Sequence, residues 1–192
     1  MRILSLLALL LLLVGPAAAA PGRAKVFLKT DEALALAFPD AEIRKERIFL
    51  TPKQRKEAQE LAKVEVENNM VYAYRAYRKG KYVGTAYFDA HLVRTFKETV
   101  MFAVGVDDTI QRFELLAFGE PIDYTPRGTW YAQFTGRKLD SDLSLKRGIR
   151  GVTGATLTAQ ATTDAARRVL ALHEVTKSPA SKPAPIARRT DG

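Results

Sequence analysis

Between Met70 and Phe118 the apolar residues recur every second position, and that period limits the fold more than any other feature of the chain. In "VYAYRAYRKGKYVGTAYFDAHLV", Val71, Ala73, Arg75 and Tyr77 alternate with Tyr72, Tyr74 and Ala76, and Lys79-Gly80-Lys81 turns the chain. In "ETVMFAVGVDDTIQRFELLAF", Val100, Phe102, Val104 and Val106 share one face, Asp107-Asp108 makes a second turn, and Ile110, Phe113 and Leu115 to Phe118 return. Two adjacent hairpins predict four antiparallel strands, which need a cover on at least one face.

Covers are available on both sides of the strands. "KVFLKTDEALALAFPDAEIRKERIFLTPKQRKEAQELAKV" reads as two short amphipathic helices, so segment 20–69 is expected to be helical. Thr30 or Asp31 caps the first helix, which ends before Pro39; Thr51-Pro52 opens the second. A short helix is expected around Thr129 to Phe134, and a last one from about Thr158 to His173 with Ala161, Ala165, Val169 and Leu172 along one side. The class is α+β.

The ends carry different signals. "MRILSLLALLLLLVGPAAAA" has one basic residue, an apolar run from Ile3 to Val14, then Gly15-Pro16 and small residues. That is the layout of a secretory signal peptide over 1–19, with Ala17 and Ala19 before the cut. The run falls short of the roughly 20 apolar residues of a spanning helix. Export to the periplasm or the outer face of the cytoplasmic membrane is the expectation. From Thr176 the Pro, Ala, Ser and Lys content predicts a disordered basic tail, 176–192.

Composition removes several chemistries. The 192 residues include no cysteine and two histidines, His91 and His173, so thiolate sites and a histidine-built metal site are excluded. Each histidine is expected to be a surface or packing residue. The net charge of +9 suits an anionic membrane face or a phosphorylated ligand; nucleic acid is disfavoured for an exported chain without a nucleic-acid-binding motif.

One stretch is not explained by packing: "GIRGVTGATLTAQATTDAARRVL", Gly148 to Leu170. A helix start exposes unpaired N–H groups and the positive end of the macrodipole, which favour a phosphate. Gly154 permits positive φ, Ala155 keeps the approach clear, and Thr153, Thr156 and Thr158 offer hydroxyls. The same residues also read as a threonine-capped helix with small side chains for tight packing. Spacing alone does not separate the two. The pattern lacks the lysine of a Walker loop, which argues against nucleotide hydrolysis.

"TGATLTA", Thr153 to Ala159, resembles the S/T-G-A-T motif of the FMN-binding domain family, which includes the flavin-carrying C and G subunits of sodium-pumping NADH:quinone oxidoreductase and related ferredoxin:NAD oxidoreductase complexes. "GKYVGTAYFDA" resembles that family's early glycine-containing strand, and "IQRFELLAFGEP" its strand ending in a Glu-Thr-Pro or Glu-Pro turn near the flavin. The resemblance spans roughly Val71 to Leu172 and makes 70–175 an FMN-binding domain, a twisted antiparallel sheet with flanking helices. It implies FMN joined through its phosphate to Thr156, with Thr158 the fallback acceptor and Glu120 and Pro121 beside the cofactor.

One position departs from the family pattern. D-G-x-S/T-G-A-T usually begins with aspartate, and Arg150 stands there. The reversed charge bears on recognition by a flavin transferase, the expected maturation partner. Arg150 also suits a forked contact with the FMN phosphate, so FMN binding follows more directly than the ester bond. The FMN-binding residues implied are therefore Thr153, Gly154, Ala155, Thr156, Thr158, Glu120 and Arg150, with Trp130, Tyr124 and Tyr131 as aromatic neighbours of the ring or core residues.

No paired carboxylates, serine–histidine arrangement or metal-ligand cluster accompanies these residues, so no catalytic or metal-binding residue is assigned. The functional expectation is an exported electron-transfer flavoprotein whose partners are membrane or exported redox proteins. A flavin-dependent reductase of a small molecule and a flavin-free binding module are the alternatives.

Overall fold

The computed structural model describes residues 24–127 and 129–177. The expected leader and the tail beyond Lys177 lie outside them. The element order is β1 (Lys25–Val26), α1 (Thr30–Ala37), β2 (Glu42–Phe49), α2 (Pro52–Ala62), β3 (Met70–Arg78), β4 (Lys81–Leu92), β5 (Lys97–Gly105), β6 (Ile110–Phe118) and α3 (Thr156–Thr176). Two short 3₁₀ turns, Ile122–Tyr124 and Trp130–Phe134, precede α3. The strands form one six-stranded sheet in the order β1-β6-β5-β4-β3-β2, with every pair antiparallel. The fold is α+β, as expected.

Local chemistry sets the hairpins. Lys79 and Gly80 both have positive φ, the signature of a two-residue turn whose twist matches the strands. In the β5–β6 turn Asp108 has a φ of 61°, and the Asp107 carboxylate accepts the Thr109 hydroxyl at 2.8 Å. The second helix begins as expected: Thr51 Oγ1 accepts the Gln54 N–H at 3.2 Å, and Gln54 Oε1 accepts the Thr51 N–H at 3.0 Å. On α1 the cap differs from expectation, because Glu32 reaches back to the Lys29 N–H at 2.8 Å.

The segment 20–69 is not purely helical. Between its two helices, "EIRKERIF" forms β2 and pairs with β3 from Glu42↔Tyr77 to Phe49↔Met70. Its period is hidden because five of its eight residues are charged. As an edge strand it buries little. Its cations rest on neighbouring rings instead, Arg44 over Tyr77 at 4.5 Å and Lys45 over Tyr72 at 4.3 Å.

Both faces of the sheet are covered. On one, Leu34 of α1 and Phe38 just after the helix pack against Ala76, Ala86, Met101, Ala103 and Leu116. On the other, α3 and the segment after β6 pack against Tyr87, Val100, Phe102, Val104 and Ile110. Strand β5 is therefore buried on both sides. Helix α2 leans on α3 through Ala58, Ala62, Ala171 and Leu172. Buried Arg167 joins them by donating to the carbonyls of Ala62 (2.6 Å), Asp140 (2.8 Å) and Leu143 (2.9 Å). Among the described residues no helix is long and apolar enough to cross a membrane.

Candidate functional site at the start of α3

The entry to α3 is open rather than tightly packed. Gly154 has a φ of 84°, and a Cβ built there or at Gly151 would meet no atom within 4 Å. Ala155 and Ala159 do face the core. The small residues thus serve two ends, packing inward and leaving space outward. Among the described residues no side chain caps α3: its N-cap position is Ala155, and its first turn holds no acidic residue. The first-turn N–H groups therefore have no side-chain acceptor, and the positive end of the macrodipole faces outward.

Beside them lies a hollow of about 190 Å³, lined by Arg94, Tyr124 and the five residues Gly154 to Thr158. Thr153 and Thr156 are exposed, and the Thr156 hydroxyl donates to the Val152 carbonyl at 3.1 Å. Thr158 is buried and donates to the Tyr124 carbonyl at 2.6 Å. Its hydroxyl forms part of the wall and is not an open acceptor. Arg150 does not line the hollow. Its side chain is exposed, while its N–H donates to Gln133 Oε1 at 2.9 Å and its carbonyl accepts the Trp130 indole at 2.6 Å.

Arg94, absent from the sequence-based site, is the cation at this corner. Its guanidinium lies 5.2 Å from the Tyr124 ring centroid. Glu120 holds the turn that carries it: Oε1 accepts the N–H groups of Arg94 (3.2 Å), Thr95 (2.6 Å) and Phe96 (2.8 Å). These donors, Phe96 first, keep the Glu120 carboxyl below its ordinary range. Glu120 acts on the corner through Arg94. Of the three aromatic candidates only Tyr124 lines the hollow; Trp130 is core, and Tyr131 stacks on Phe113 with centroids 4.6 Å apart.

Beneath the first turns of α3 runs a buried polar chain. Arg168 donates to Asp89 at 2.7 and 3.0 Å, His91 bridges Asp89 (2.8 Å) and Glu98 (2.9 Å), and Thr162 donates to Glu98 at 2.8 Å. Glu98 is fully buried. Burial pulls the His91 pKa down, but the hydrogen bonds to Asp89 and Glu98 outweigh it and raise it to about 9. His91 is therefore an imidazolium at neutral pH. Both histidines are packing residues: His91 is half-buried, and His173 is buried, bonded to Tyr87 and Asp108.

Strand parity carried a signal for this chain. Glu98 shares its face with Val100, Phe102 and Val104, and Asp89 and His91 share theirs with Tyr87. Among the described residues no cluster of His, Asp and Glu is arranged to hold a metal ion. A wider hollow of about 460 Å³ lies on the opposite face of the sheet, lined by Leu34, Phe38, Ile43 and Tyr74 among others. Its polar lining is Asp31, Asp40, Lys45 and Tyr74, with neither an arginine nor the threonines of the α3 corner. No family model matches the chain, and no curated protein sequence matches it.

Proposed function

We propose that this chain is an exported flavoprotein that carries FMN, joined through its phosphate to Thr156, and passes electrons between membrane or exported redox proteins. The observation that carries the reading is the hollow at an uncapped helix start, with an arginine on its wall and the exposed Thr156 hydroxyl at its edge. First-turn N–H groups without a partner among the described residues, a guanidinium and the exposed Thr156 hydroxyl, held only by its bond to the Val152 carbonyl, converge where a phosphate monoester would be neutralised and held.

The fit is to one part of the cofactor. At about 190 Å³ the hollow accommodates a phosphate and part of a polyol chain, and falls below the roughly 300–1,000 Å³ of a cleft that buries a drug-sized ligand. A three-ring system is not enclosed by it. When bound, FMN supplies one- and two-electron transfer; the protein contributes position and charge. Arg94 and the first-turn N–H groups hold the phosphate, Glu120 fixes the turn bearing Arg94, and Thr158 ties Tyr124 to the helix. A tether of this kind keeps a small cofactor from being lost outside the cytoplasm.

The small hollow favours a second reading, a flavin-free module that binds a phosphorylated ligand at the same corner. Visible absorption of protein produced with a flavin transferase separates them. A yellow protein whose colour stays with the chain after denaturation supports the first reading; a colourless protein supports the second.

A further inference from the structure

The two outer edges of the sheet are not alike. At β6 the edge is largely engaged: β1 pairs with Ala117 and Phe118, the Leu116 carbonyl accepts the Phe27 N–H at 2.8 Å, and Ile110 exchanges hydrogen bonds with the 136–137 turn. At β2 it is open. The Leu50 N–H donates to the Asn69 carbonyl at 2.8 Å, and bonded pairs alternate along an antiparallel ladder, so Ile48, Glu46, Arg44 and Glu42 bond inward to β3. The N–H and C=O groups of Ile43, Lys45, Arg47 and Phe49 therefore point away from the sheet, and among the described residues they have no backbone partner. Such a row is a template for one more strand.

Strand parity fixes what an added strand would meet. Ile43 packs with the α1 core, so Lys45, Arg47 and Phe49 lie on the α1 face as well. Ile43 and Lys45 line the hollow of about 460 Å³ beside α1, with Leu34, Phe38 and Tyr74, which leaves room at the edge for a bulky apolar side chain. Lys45 and Arg47 are exposed and, among the described residues, pair with no carboxylate, Asp31 and Asp40 of the hollow included. The carboxylates of β2 are on its other face and engaged, Glu42 with Arg44 at 2.8 Å and Glu46 with Arg75 at 2.6 Å. The unpaired charges of this edge are thus both positive. We infer that β2 takes up an extended segment of another protein as a seventh, antiparallel strand, with carboxylates opposite Arg47 and Lys45 and bulky apolar residues opposite Phe49 and Ile43. A second copy of this chain fits badly. The β2–β2 register that uses the whole edge sets Lys45 against Arg47, and a step either way sets Lys45 against Lys45 or Arg47 against Arg47. Segment 178–192 follows a helix end tied beside β2 through Arg75, but it brings Lys182, Arg188 and Arg189, and Pro179, Pro183 and Pro185 have no N–H to give. The edge acts independently of whatever the α3 corner binds.

The probe is an end-capped peptide with the core Phe-Thr-Glu-Thr-Glu-Thr-Leu, compared with the same peptide carrying Lys for both Glu. Titrated into the purified full chain, the Glu peptide should give saturable amide shifts confined to residues 42–50 and to Leu34, Phe38 and Tyr74. It should also slow hydrogen exchange at the N–H groups of Lys45 and Arg47. The Lys peptide should bind at least about tenfold more weakly, because two opposite-charge pairs become like-charge pairs. N-methylation of the Glu residues removes N–H groups that face β2 and should abolish binding, whereas N-methylation of the Thr residues, whose N–H groups face away, should not. The double variant Lys45→Glu with Arg47→Glu should reverse the preference between the two peptides. The N-methyl series on the parent chain decides the matter if that variant does not fold. Equal binding of the Glu and Lys peptides, indifference to N-methylation of Glu, shifts at the α3 corner instead, self-association through 43–49, or Lys45 and Arg47 N–H groups protected before any peptide is added would overturn the inference.

Discussion

The two ends of α3 are built in opposite ways. At the C-terminal end polar groups are matched to one another. His173, 2% exposed, bonds to Tyr87 and Asp108; the Thr176 hydroxyl donates to the Leu172 carbonyl; and Arg75 joins the Thr176 carbonyl to Glu46. One nitrogen of Arg75, Nη1, is the exception and has no partner among the described residues. At the N-terminal end no described residue caps the helix, Thr153 and Thr156 are exposed, and a Cβ at Gly154 would meet no described atom. Polar groups that satisfy each other hold a fold together. Those left over at a concave corner are available to a ligand.

Stability and ligand binding should therefore separate along the helix. The largest effect belongs to the buried chain between the ends. Glu98→Ala leaves the His91 imidazolium facing an empty site and should cost about 3–5 kcal/mol, read from the urea midpoint. A loss below about 1 kcal/mol would show that the chain is not charged as described.

The two histidines sharpen the comparison through pH. His91 titrates at about 9 in the folded chain against an ordinary 6.5. Its contribution, about 3 kcal/mol, is present in full below pH 6.5 and is lost as pH rises through 9. Burial lowers the His173 pKa, so its effect has the opposite sign, with stability falling as pH drops below 6.5. Denaturant curves from pH 5 to 10 should show both limbs, and His91→Gln should flatten the alkaline one alone.

Smaller effects lie at the open end. Glu120→Ala releases the turn that carries Arg94; it should cost about 1–2 kcal/mol and loosen retention of the phosphorylated ligand. Thr156→Ala should change stability by less than about 0.5 kcal/mol, since its one hydrogen bond is exposed, yet remove the attached flavin. An unfolding cost above 2 kcal/mol for Thr156→Ala would erase the distinction between the ends.

How far the sequence revealed this arrangement depends on how local each signal is. Lys79-Gly80, Thr51-Pro52 and the alternation of Val100, Phe102 and Val104 act within a few residues, and the elements they predict are present. Strand β2 escaped because charge hid its period, and β1 because two residues carry no period. At the site, the Gly154–Thr156 corner was legible because a helix start is local. Arg94 was not, because its place depends on a carboxylate 26 residues further along the chain. Trp130 and Tyr131 are rings that any core would accept, and composition could not distinguish that role from contact with a ligand.

The most direct test is a mass spectrum of one peptide. Tryptic cleavage after Arg150 and Arg167 releases residues 151–167, which hold every hydroxyl at the α3 entry. From protein produced with a flavin transferase, that fragment should carry the mass of FMN as a phosphoester, with the adduct on Thr156. A bare fragment, or an adduct on another residue, would contradict the account.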